Sequence, residues 1–110
     1  PPPDPAGGRG VSSMPEASRV HAVITGRVQG VGFRYFVLRS AKQLGLVGWV
    51  RNRTDGAVET VAEGDRQALE RFVNELKTGP PMGWVQSVSV QWQPAENDFV
   101  NFVIEPTAYI

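Results

Sequence analysis

The sequence predicts an α+β domain: a ferredoxin-like βαββαβ sandwich with two helices on one face of an antiparallel sheet and a short fifth strand. Three observations predict it. Alternating apolar runs and helical apolar stripes succeed one another as strand, helix, strand, strand, helix, strand, strand. Gly45 and the run Gly79-Pro80-Pro81 stop the two helical stripes. Thr54-Asp55-Gly56 separates two strand-like runs with a turn suited to a hairpin. A hairpin set between two strand–helix units is the split βαβ arrangement. Right-handed crossovers then place both helices on the same side of the sheet.

The elements follow in order. From Val20 to Val28, Val20, Ala22, Ile24 and Val28 share one face, and His21, Thr25 and Arg27 share the other with Val23. That alternation marks a half-buried strand. Phe33, Phe36, Val37, Ala41 and Leu44 then fall at the spacing of an amphipathic helix. Val47 to Arg53 reads as a second strand, with Gly48, Val50 and Asn52 on one face. Ala57 to Glu63 returns as the third. Asp65 is placed to cap a second helix with the stripe Leu69, Phe72, Val73 and Leu76. Val85 to Gln93 alternates again, and Val100, Phe102 and Ile104 form a short last strand.

Length and composition narrow the function. The chain has 110 residues, enough for one domain with its own core. Eleven basic and eleven acidic side chains balance, so no global field gathers nucleic acid or an anionic membrane. There is no cysteine, which excludes a thiol nucleophile, thiolate metal sites and a disulfide framework. A single histidine and no acidic cluster leave no basis for metal or triad chemistry. No run is long and apolar enough to span a membrane, and the N-terminus does not read as a signal peptide. Residues 1–18 are rich in Pro, Gly, Ala and Ser and are expected to be a disordered leader before a folded domain over 19–110. Met14 is a candidate internal start within it. A cytoplasmic location is the expectation.

The stretch Gly26-Arg27-Val28-Gln29-Gly30-Val31-Gly32-Phe33-Arg34 carries the chemistry. Glycines let backbone N–H groups approach an anion, and the helix start behind them supplies partial positive charge. Arg34 adds a forked cation, with its stem expected to be partly buried against Phe33 or Tyr35. The dinucleotide fingerprint fails for want of a third glycine at the right offset. The Walker pattern fails because no Gly-Lys-Ser/Thr follows. Topology adds one further residue. With the third strand between the first and second, those two run parallel, and the glycine loop and Asn52 come to the same sheet end.

The motif Gly26–Arg34 without a break, then Gly48-Trp49-Val50-Arg51-Asn52 and Asp55-Gly56, resembles the acylphosphatase family. Val58-Glu59, Gly64, Phe72 and Gly79-Pro80 continue the likeness, which covers residues 20 to 105. The resemblance implies hydrolysis of the carboxyl–phosphate anhydride of a small acyl phosphate, without metal, cofactor or covalent intermediate. It implies that Arg34 binds phosphate, that Gln29, Gly30, Val31, Gly32 and Phe33 form the phosphate loop, and that Asn52 positions water. Thr54 is placed to hydrogen-bond across the turn and support Asn52; an ordinary turn threonine explains it equally well. A monomer without nucleic-acid or membrane partners is expected. Two other readings share the topology: a carbamoyl-phosphate-handling domain, and a nucleic-acid-binding regulatory module. The second would need the aromatics of Phe33-Arg34-Tyr35-Phe36 on an open sheet face, whereas their spacing here is helical. Asn97 to Asn101 looks slightly extended and is expected to alter the rim facing the substrate.

Overall fold

The computed structural model describes residues 17–110. Its elements are β1 (Ala17–Arg27), α1 (Phe33–Gln43), β2 (Val47–Asn52), β3 (Val58–Asp65), α2 (Arg66–Thr78), β4 (Trp84–Pro94) and β5 (Phe102–Ile104). The strand order is β4-β1-β3-β2-β5. The helix–sheet sandwich is therefore the ferredoxin-like fold that the element order predicts. Of the expected leader, residues 1–16 lie outside the described residues. Ala17 and Ser18 do not belong to a leader, because they pair with Asp65 and Gly64 in the sheet.

The sheet departs from expectation in one respect. β1 is antiparallel to β3 and β4, and β2 is antiparallel to β3, but β5 runs parallel to β2. The sheet is mixed rather than purely antiparallel, and connectivity explains why. β4 ends beside the start of β1, where Ser18 faces Pro94. β2 starts at that same end, since Val47 and Arg19 both face Glu63. The segment 95–101 crosses to the far edge at that end, so β5 must set out alongside β2. The ladder then continues past β5. Glu105 donates to the Val50 carbonyl at 2.9 Å, Ala108 to the Asn52 carbonyl at 2.9 Å, and Thr54 to the Ala108 carbonyl at 3.0 Å.

The core lies between the helices and one sheet face. Val20, Ala22, Ile24, Val50 and Val58 come from the strands, Phe33, Val37 and Ala41 from α1, and Leu69, Phe72 and Leu76 from α2. Phe72 meets Phe102 of β5 edge-on with ring centroids 6.2 Å apart, tying the last strand into the core. Asp65 stands at the N-cap of α2, yet its side chain makes no capping hydrogen bond. Gly79 closes α2 by donating its N–H to the Glu75 carbonyl at 2.9 Å.

The other sheet face is charged and paired. β3 is central, and two of its carboxylates, Glu59 and Glu63, are buried although they face away from the helices. Glu59 meets His21 Nε2 at 2.6 Å and accepts from Arg51 Nε at 2.9 Å. Glu63 accepts from Arg19 Nε at 2.6 Å and from the Glu96 and Asn97 backbone at 2.9 and 3.0 Å. Burial acts to raise both carboxyls, but these donors outweigh it and hold both below the ordinary carboxylate value. Two tryptophans lie beneath arginines. Trp49 underlies Arg51 at 4.5 Å and Trp92 underlies Arg66 at 3.8 Å.

Candidate active site

The chain leaves β1 at Arg27 and re-enters regular structure at Phe33. Two buried side chains, Val28 and Phe33, pin the ends of this loop in the core. Between them Gly30 and Gly32 have φ of 74° and 79°. A Cβ at either would meet nothing within 4 Å, so glycine is required there for backbone conformation and not for room. The N-cap of α1 is Gly32, which offers no capping side chain, and no acidic residue occupies the first turn. The first intrahelical bond is from Phe36 N–H to the Gly32 carbonyl at 3.0 Å. The N–H groups ahead of it have no intrahelical acceptor and sit at the positive end of the helix.

A pocket of about 270 Å³ opens here, lined by Gly30, Gly32, Phe33, Arg34, Tyr35 and Asn52, with Val28 and Ile104 completing it. Loop, helix start and the end of β2 therefore meet at one sheet end, as the parallel β1 and β2 require. Arg34 has no salt-bridge or side-chain hydrogen-bond partner among the described residues. Its side chain is exposed, and the expected burial of its stem is not seen. Phe33 turns into the core, and the next helical position is rotated away from it. Asn52 supplies the opposite feature. Its Oδ1 is buried without a hydrogen-bond partner among the described residues. A buried unpaired acceptor is costly, so an orphan in a pocket marks a place for a donor.

Neighbouring groups hold this geometry. Gln29 Nε2 donates to the carbonyls of Arg53 and Ala57 at 2.7 and 2.9 Å. Its side chain thus bolts the glycine loop to the β2–β3 turn. In that turn Asp55 Oδ2 pairs with Arg53 at 2.6 Å, and Asp55 Oδ1 accepts from the Ala57 N–H at 3.1 Å. The hydrogen bond from Arg53 holds the Asp55 carboxyl below its ordinary value. Thr54 is not a partner of Asn52: its hydroxyl accepts from the Ile110 N–H at 2.9 Å, across to the C-terminal segment. Asn97 lines a groove of about 580 Å³ with Ala17 and Pro94, at the opposite sheet end. The 97–101 segment therefore does not form the rim of this pocket, and Ile104 does instead. Tyr35 and Ile104 were invisible as site residues because apolar or aromatic walls carry no motif of their own. Among the described residues no three His, Asp or Glu side chains gather to hold a metal ion.

Fold and site together define a ferredoxin-like domain with a glycine loop and helix start at one sheet end, opposite an amide oxygen that has no partner among the described residues. The Acylphosphatase family model matches residues 20–104, and the chain belongs to the acylphosphatase family. It is 51% identical to an acylphosphatase of Trichormus variabilis over 87 residues, 77% of this chain and 86% of that one. The crystal structure of acylphosphatase from Bacillus subtilis superposes with a TM-score of 0.78 at 43% identity, covering 80% of this chain and 98% of the other. Full-length HypF in a phosphate- and nucleotide-bound form contains a similar unit. Its TM-score is 0.81 at 28% identity, over 92% of this chain and 13% of HypF.

Proposed function

We propose that the protein hydrolyses the carboxyl–phosphate anhydride of small acyl phosphates to carboxylate and inorganic phosphate. Membership of the acylphosphatase family supports the reaction. The observation that carries the division of labour is the orphaned Asn52 Oδ1 in the same pocket as Arg34 and the glycine loop. In this reading the backbone of Gln29 to Phe33 and the Arg34 guanidinium hold the phosphoryl oxygens. An amide is not a base, so Asn52 accepts a hydrogen bond from water and aims it at phosphorus. The water oxygen bonds to phosphorus, the phosphorus–acyl oxygen bond breaks, and the carboxylate departs with the electron pair. The water proton passes to a phosphate oxygen. An acyl phosphate carries a good leaving group, so positioning and charge stabilisation suffice, and no metal or cofactor is assigned.

Every group in this scheme comes from one chain, and the reading assigns a monomer acting in the cytoplasm without nucleic-acid or membrane partners. Phe33 is buried in the core, which removes the stacking platform of a nucleic-acid module. The test is hydrolysis of benzoyl phosphate in the presence of a chelator, with p-nitrophenyl phosphate as the monoester control. Turnover of the first alone supports the reading; loss of turnover with chelator overturns the metal-free mechanism.

A further inference from the structure

A second groove begins where the phosphate pocket ends. It has a volume of about 320 Å³ and lies between α1 and the end of α2, lined by Tyr35, Phe36, Arg39, Ser40, Glu75 and Pro80 among others. Gly32 and Tyr35 belong to both cavities, so the two are contiguous. A group attached to a phosphate in the first pocket has this groove as its way out. The walls nearest the phosphate are aromatic and proline. Farther along they carry one cation from α1 and one anion from α2. Arg39 and Glu75 line the same groove, yet they form no salt bridge with each other, and neither has another such partner among the described residues. Ser40 adds a hydroxyl on a residue only 5% exposed.

Resting on the activity given above, we propose that this groove is the subsite for the acyl portion, and that it fits the acyl phosphate of a free amino acid. Arg39 receives the α-carboxylate and Glu75 the α-ammonium. A purely apolar tail would leave both charges unused. A simple dicarboxylate would gain Arg39 but face Glu75, and a cationic tail would meet the reverse. Only a tail bearing both signs answers both walls. The dimensions agree. In an amino-dicarboxylic acid phosphorylated on its side chain, phosphorus and the α-carbon are roughly 5 Å apart when extended. Tyr35 to Arg39 is one helical turn, about 6 Å along the axis. Helical side chains also lean toward the N-terminus, which carries the Arg39 guanidinium back over the turn at Tyr35. The reaction itself is unchanged: the phosphorus–acyl oxygen bond breaks, and the free amino dicarboxylic acid and phosphate leave.

The experiment compares kcat/KM for β-aspartyl phosphate with that for acetyl phosphate, in the parent protein and in the variants Arg39→Ala and Glu75→Gln. The parent should favour β-aspartyl phosphate by about tenfold, the worth of one charge-assisted contact at a half-open site. Arg39→Ala should erase most of that preference through KM, with acetyl phosphate changed less than about twofold. Glu75→Gln should weaken β-aspartyl phosphate roughly threefold and leave acetyl phosphate equal or slightly better, because a like charge near the phosphate is gone. Equal losses on both substrates would make Arg39 a general steering charge and overturn the proposal, as would the lack of any preference in the parent. Turnover of acetyl phosphate without discrimination removes the subsite alone. No turnover of either substrate removes the hydrolase reading and this proposal with it.

Discussion

Replacing Asn52 with leucine should make the protein more stable and far less active. The side chain sits at the end of β2 with Oδ1 buried and without a partner among the described residues. Leaving a buried carbonyl-type oxygen unpaired costs about 1–3 kcal/mol. Leucine has similar bulk and no polar atom, and its own fit at a half-buried position takes back part of the gain. A net stabilisation of about 1 kcal/mol remains, which raises Tm by about 4 °C in a domain of this size. Turnover of benzoyl phosphate should drop by about 100-fold or more, because the attacking water loses its guide. Phosphate binding should survive, since the loop and Arg34 do not depend on the amide. Inorganic phosphate at 100 times its Kd should therefore stabilise parent and variant alike, by about 2.7 kcal/mol. Thermal melts with and without phosphate, beside initial rates, make the measurement. A less stable variant with full turnover would refute the reasoning. A stable variant that no longer responds to phosphate would show that Asn52 holds the phosphate instead of the water.

Three further outcomes are expected. Arg34→Ala should raise KM and lower kcat together, reducing kcat/KM on the order of 10²–10³-fold, with an unchanged melt because the side chain is exposed; an intact KM by steady-state kinetics would contradict its role. Gln29→Ala removes the donor to two carbonyls, and by urea unfolding it should lose about 1–2 kcal/mol and weaken phosphate binding through a loosened loop. Glu59, held below its ordinary value of 4.5 by His21 and Arg51 against the pull of burial, contributes stability that is full above its unfolded value. That contribution is lost as pH falls through its depressed folded value. Urea midpoints measured from about pH 6 to pH 3 should fall steeply, and Glu59→Gln should flatten the fall.

The parts legible in the sequence are those where chemistry and period coincide. The α2 stripe of Leu69, Phe72, Val73 and Leu76 is buried as its spacing requires. The alternation Val20, Ala22, Ile24 places the core face of β1 correctly. Parallel β1 and β2 follow from topology alone, and with them the meeting of Asn52 and the glycine loop. Other features have no local signal. Ala17 and Ser18 share the small-residue composition of the stretch before them, and only pairing with β3 reveals a strand. The direction of β5 depends on where a crossing loop delivers the chain, not on the residues Phe102 to Ile104. Thr54 reads the same whether it faces Asn52 or Ile110. Gln29 looks like one more loop residue until its amide is seen reaching the next hairpin.

The backbone ladder from Glu105 to Ala108 has a consequence in time. A chain emerging from the ribosome can pair β1 to β4 and bury most of its core before residue 100 appears. At that stage the outer edge of β2 is still bare, and the Asn52 carbonyl and Thr54 N–H lack the partners that Ala108 later provides. The glycine loop and Arg34, assigned above to phosphate, are thus in place early, while Ile104 and the strand end that carries Asn52 are secured last. On the proposed assignment, the groups that hold phosphate are therefore set before the one that aims the water.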